Sequence, residues 1–206
     1  MTYSPQYLPG HSTPSHGLCE PYNSHKPHES RKSHSDVEIR RARKEDIPSL
    51  LELLRQVNLI HAHGRPDLFR ITTKYTQADL EHRLERLDDP VFVAVAHSAS
   101  PDETALSSSL LGHMFCETQD HSHDGEDALF QPIKTLYIDD LCVDEDARGM
   151  GVGRSLLEFA QEWATQRGYY NITLGVWELN TNARAFYEAM GMKPQETIME
   201  TILREA

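Results

Sequence analysis

One six-residue stretch constrains this chain more than any other: Arg148-Gly149-Met150-Gly151-Val152-Gly153. It follows the strand-like run Thr135–Val143 (TLYIDDLCV) after a short acidic lead-in. It opens an amphipathic helix expected from about Gly151 to Arg167. Val152, Leu156, Phe159, Ala160, Trp163 and Ala164 fit the 3.6-residue period there, and Gly168 supplies the C-terminal glycine. Strand, glycine turn and helix together make a phosphate cradle. Glycines let backbone approach closely, successive N–H groups face one concavity, and the helix start carries about half a positive charge. Spacing decides which ligand. A Walker A loop needs Gly-Lys after Gly and four residues; Gly149 plus five is Arg154, and no Gly-Lys pair occurs. A dinucleotide fingerprint needs a third glycine where Arg154 stands, and it belongs in an opening βαβ unit, whereas this turn follows several strands.

The rest of the chain sets the frame around that turn. Residues 1–36 hold five prolines, seven serines and five histidines but no Ile, Val, Phe or Trp. Such a segment buries too little apolar surface to offset its ordering entropy, so a flexible extension is expected. From Val37 to Ala206 the pattern is globular. Val37–Arg40 alternates as a strand, and Asp46 caps a helix running to about Ile60. Thr76 and Asp79 form a capping box for a second helix. Val91–Ala96 and Leu110–Glu117 read as strands, as do Thr135–Val143 and Asn171–Val176. Ala183, Phe186, Tyr187 and Met190 mark a short helix ended by Gly191, and Thr197–Leu203 is expected to close the sheet. Three consecutive strands imply a mixed, mostly antiparallel sheet flanked by about four helices, an α+β fold in sandwich form.

The pattern Arg-x-x-Gly-x-Gly, preceded by YIDDLCV and followed by Asn180-Thr-Asn-Ala-Arg-Ala-Phe-Tyr187 and Glu-Ala-Met-Gly-Met, resembles the GCN5-related N-acetyltransferase (GNAT) family. The resemblance runs from about Val37 to Leu203; Met192 departs from it, where an aromatic residue is common. It implies direct acetyl transfer from acetyl-coenzyme A to a primary amine in a ternary complex. By position, backbone groups of Leu141, Cys142 and Val143 would pair with the pantetheine arm, one N–H facing the thioester oxyanion. Arg148, Gly149, Met150, Gly151, Val152, Gly153 and Arg154 would hold the pyrophosphate, with Ser155 adding a hydroxyl; Arg154 reads equally as a solvated surface residue. Asn180 would bind pantetheine, cap the last helix, or do both. Tyr187 matches the family tyrosine that gives the leaving thiolate its proton. Asp139 matches a glutamate that faces the acceptor cleft in polyamine acetyltransferases; alternation places Asp139 and Asp140 on opposite faces. An amine is mostly protonated at neutral pH, so a carboxylate there attracts it and takes its proton, directly or through water.

The net charge is −12, which argues against nucleic acid or an anionic membrane as partner. The longest apolar run is six residues, Val91–Ala96, far below the ~20 of a membrane helix. Three cysteines without a CxxC pair, and a start without a secretory pattern, point to a reducing, cytoplasmic setting. No metal is expected: His61-Ala-His63 and His121-Ser-His123-Asp124 lie in polar loop text. Cys142 reads as a small strand residue, and Asp67 as a cation contact on a lid formed by RPDLF. The acceptor stays open between a small amine, a protein N-terminus or lysine, and none at all in a non-catalytic coenzyme-binding module. A homodimer is compatible with the sequence.

Overall fold

A computed structural model of the chain describes residues 37–97, 108–125, 128, 129 and 131–203; the expected extension over 1–36 lies outside them. The chain opens with β1 (Val37–Arg41), then α1 (Ile47–Gly64) and α2 (Gln77–Glu85). Three strands follow: β2 (Val91–His97), β3 (Ser108–Asp120) and β4 (Lys134–Val143). The remainder is α3 (Val152–Thr165), β5 (Asn171–Leu174) and α4 (Thr181–Ala189). The sheet order is β1-β2-β3-β4-β5. Its first three pairings are antiparallel and the last, β4 with β5, is parallel. This is the mixed α+β arrangement that the residue pattern implies.

Each sheet face carries its own core. Phe92, Ala94, Met114, Cys116, Leu136 and Ile138 meet the buried stripe of α3, Val152, Leu156, Leu157 and Ala160. Phe92 sits edge-on to Phe159 and Trp163 at 5.1 and 5.6 Å, contacts of about 0.5–1.5 kcal/mol each beyond area burial. On the opposite face Val91, Val93, Val95 and Phe115 receive Ile47, Leu50, Leu54 and Leu80 from α1 and α2. The Thr76 box forms: the Asp79 carboxylate accepts from the Thr76 N–H at 2.8 Å, and the Thr76 hydroxyl accepts from the Asp79 N–H at 3.2 Å.

Two expectations change. Helix α1 runs on to Gly64, because Ala62 continues its buried stripe after Leu50 and Leu54. The carboxyl-terminal segment does not close the sheet: residues 193–203 form no strand, and Ile198, Met199, Ile202 and Leu203 are exposed. The reason is visible in the pattern. Period-2 alternation through IMETIL puts a polar residue between apolar ones on both faces, so neither face is a continuous apolar strip. The segment is held instead by Glu200, whose carboxylate takes two bonds from Arg65 at 2.9 and 3.0 Å.

Candidate active site

The parallel pairing of β4 with β5 ends at Ile138 opposite Leu174, yet β4 continues to Val143. On its other edge β4 stays paired with β3 as far as Val143 opposite Gly112. Asp139, Asp140, Leu141, Cys142 and Val143 therefore turn one row of backbone donors and acceptors toward a gap where β5 has left. Such a row pairs readily with another extended chain.

The glycine turn lies just past the end of that edge. Gly149 and Gly151 have φ of 79° and 84°, the left-handed region that L side chains rarely adopt. A Cβ at either would meet nothing within 4 Å, so backbone conformation alone, not crowding, requires glycine. Gly151 is the N-cap of α3, and the N–H groups of the first turn have no helical acceptor. Arg148, Met150 and Arg154 are exposed around it. Arg148 leans back toward the Val143 carbonyl at 3.4 Å, and Arg154 has Glu158 at 3.8 Å. The Ser155 hydroxyl donates to the Gly151 carbonyl at 3.3 Å and must turn to reach an anion. Gly153 lies beside Val143 and Phe186, which ties the turn to β4 and α4.

The acceptor side is organised by a bulge. Phe115 faces Asp140 and Cys116 faces Ile138, so Asp139 is one residue too many on β4. The extra residue breaks alternation, and both carboxylates point to the face of α1 and α2. This corrects the expectation of opposite faces. The Asp139 carboxylate accepts from the Lys74 ammonium at 2.6 Å and from the Tyr75 hydroxyl at 3.0 Å. Tyr75 stacks on Phe115 at 5.4 Å, and burial together with the Asp139 charge pushes its phenol up to about 12. The Asp140 carboxylate lies 2.8 Å from Nε2 of His113, which is fully buried and whose Nδ1 has no hydrogen-bond partner. His113 meets Phe115 edge-on at 5.1 Å.

Tyr187, on α4, is half-buried and lies in the field of Asp140. Burial first, and then the Asp140 charge, push its phenol well above the ordinary tyrosine range, so it holds its proton at neutral pH. Burial and the same carboxylate push the Cys142 thiol up to about 12, which leaves it neutral and a poor nucleophile. Asn180 caps α4: its Oδ1 accepts from the Ala183 N–H at 3.2 Å, leaving the amide NH2 group for another partner. Of the expected site residues, then, Asp139 lies on β4 beyond Ile138, the turn meets the end of that edge where Gly153 lies beside Val143, and Tyr187 lies in the field of Asp140. Asp67 is held elsewhere: Arg65 takes its carboxylate at 2.7 and 2.9 Å.

An aromatic wall stands over the same region. His61, at the end of α1, stacks on Phe69 at 5.2 Å, and Phe69 meets Trp177 edge-on at 5.2 Å. Burial lowers the His61 pKa, while the charges of Asp140 and Lys74 act on it with opposite sign. The segment His61–Tyr75, which carries Lys74, Tyr75, His61 and Phe69, was expected to contact the acceptor, but their individual partners, and His113, were not singled out in the sequence. Lys74 and Asp139 lie 65 residues apart and His113 and Asp140 lie 27 apart, so no local pattern marks these pairs.

Comparison with known proteins bears on the family and the fold. The model of the acetyltransferase (GNAT) family matches residues 57–192. The chain belongs to this family. Among curated GNAT relatives, an uncharacterized N-acetyltransferase of Archaeoglobus fulgidus is 27% identical over 161 residues, 78% of this chain and 96% of that protein. Mycothiol acetyltransferase of Jonesia denitrificans is 36% identical over 124 residues, 60% of this chain; the match spans only 34% of that longer protein. A mutant of the BH1408 protein from Bacillus halodurans superposes with a TM-score of 0.69 at 27% identity, covering 81% of this chain and 99% of that one. An aminoglycoside acetyltransferase from a soil metagenome, at TM-score 0.60 and 17% identity over 84% of this chain and 99% of that one, shares the fold. The protein is thus an acyltransferase of GNAT type. Among its described residues no helix is long and apolar enough to cross a membrane.

Proposed function

We propose that the protein transfers the acetyl group of acetyl-coenzyme A to the amine of a small acceptor by direct attack, with both substrates bound at once. The observation that carries this reading is the open edge of β4, five residues long, ending beside a helix start with two left-handed glycines. An extended amide-bearing arm with a pyrophosphate at one end matches such an edge in both parts. The backbone of Leu141, Cys142 and Val143 would hold the arm, and an N–H of that row would face the developing oxyanion. The turn from Arg148 to Gly153 would hold the pyrophosphate, with Arg154 and Ser155 at its rim and the Asn180 amide on the arm.

The acceptor side needs a group that draws in an ammonium and takes its proton. Asp139 already holds one ammonium, that of Lys74, at 2.6 Å, which supports it as the seat for the acceptor. Tyr187 is half-buried and its phenol is protonated at neutral pH, so it would give that proton to the departing thiolate. No metal takes part in this scheme. Two free, buried thiols, Cys116 and Cys142, suit a reducing cytoplasmic setting. The test is release of free thiol from acetyl-coenzyme A against a panel of small amines and of peptides with free N-termini or lysines. Turnover with small amines alone is the expected result; turnover with peptides alone would move the assignment to a protein acetyltransferase, and coenzyme binding without any turnover to a binding module.

A further inference from the structure

Lys74 stands where the acceptor should be. Its ammonium lies 2.6 Å from Oδ1 of Asp139, the first residue of β4 beyond the last β4–β5 pair. It belongs to neither helix nor strand, and its side chain is 41% exposed. A part-exposed ion pair of this kind holds weakly, so the amine can leave, lose its proton and return. It also sits within the electrostatic cluster of the site. His61 feels both Lys74 and Asp140, and Asp140 in turn acts on Tyr187.

From this we propose that Lys74 is an internal acceptor, so that the protein acetylates its own chain at this one lysine. The proposal rests on the acetyl-transfer reading above. The Nζ lone pair forms a bond to the thioester carbonyl carbon, and the carbon–sulfur bond breaks. The amine proton passes to Asp139, and the coenzyme thiolate leaves with a proton from Tyr187, which solvent restores. The products are an acetamide on Lys74 and free coenzyme A. Acetylation removes the charge that pairs with Asp139, so the modified chain offers that carboxylate to an outside amine. The unmodified chain keeps the seat filled by its own side chain.

The test incubates the full chain with acetyl-coenzyme A and maps acetylated lysines by peptide mass spectrometry. The expected result is one acetyl group at Lys74, with the five other lysines unmodified. Lys74→Arg keeps the charge and should abolish the modification. Asp139→Asn should slow it by ~10²–10⁴-fold, as the loss of a proton acceptor does. Modification of several lysines at similar rates, unchanged in Asp139→Asn, would be chemical acetylation by the thioester and would overturn the proposal. Lys74 left bare while small amines are turned over would overturn it and leave the transferase reading intact. If no amine is acetylated and calorimetry shows no coenzyme binding, both fall together.

Discussion

Replacing Gly151 by valine isolates what the turn contributes. Its φ is 84°, and a Cβ there meets nothing within 4 Å, so the substitution strains the backbone without striking a neighbour. An L residue in the left-handed region is destabilised by roughly 1–2 kcal/mol, with a β-branched one at the upper end. A domain has about 5–15 kcal/mol in hand, so the variant stays folded. At about 2–4 °C per kcal/mol for a chain of this size, melting should fall by about 2–8 °C. Coenzyme binding suffers for a different reason. The empty space around Cβ is the space a pyrophosphate would fill, and displacing the anion loses hydrogen bonds to charge of about 1.5–3 kcal/mol each. That is roughly tenfold to a hundredfold in affinity for each bond lost. Gly151→Asn separates the two effects, because asparagine tolerates the left-handed region while its side chain still enters the cradle. Melting should recover for Asn and calorimetric affinity for acetyl-coenzyme A should not. A folded Gly151→Val chain that binds the coenzyme as tightly as the parent would refute the placement of the pyrophosphate.

Three further outcomes are expected. Tyr187→Phe keeps the ring against Phe186, at 5.1 Å, and removes only the hydroxyl, so turnover should drop ~10²–10⁴-fold while the coenzyme dissociation constant stays within a few-fold; unchanged turnover would make Tyr187 a packing residue. A chain starting at Ser35 should keep both melting temperature and turnover, checked by thermal melts and thiol release, and a large loss of either would show that the first residues belong to the domain. Cys142, with its thiol pushed up to about 12 by burial, should resist iodoacetamide at pH 8 in the native chain and react on unfolding; labelling at the unfolded rate would contradict its burial.

Elements whose signals are local were legible in the residues. The Thr76–Asp79 box, the glycine turn and the stripe of α3 each depend on neighbours within a few positions, and each forms as expected. What escaped is long-range. Helix α1 gained a turn because Ala62 finds cover in the tertiary structure, which outweighs the polar look of HAHG. The terminal strand failed because alternation in IMETIL puts a polar residue among the apolar ones on each face, which the count of β-prone residues hides. His113 and Asp140 lie 27 residues apart, and only strand register brings them within 2.8 Å. The bulge at Asp139 carries no glycine to announce it, so alternation misplaced one carboxylate.

That bulge also explains why the site is where it is. Two irregularities coincide at a single position of β4: β5 departs after Ile138, and Asp139 is the unpaired residue against β3. The first leaves backbone groups free on one side of the strand. The second turns two carboxylates to the α1–α2 face, one held by Lys74 and Tyr75 and the other by His113. A regular strand would offer the open edge with a single carboxylate on that face. It could present an ammonium seat, or a partner for the buried His113, but not both. With two, the tasks divide: Asp139 lies toward the exposed Lys74 and the outside, and Asp140 toward buried His113 and Tyr187. In the proposed transfer this division would leave Asp139 to take the acceptor's proton while Asp140 stays engaged with His113.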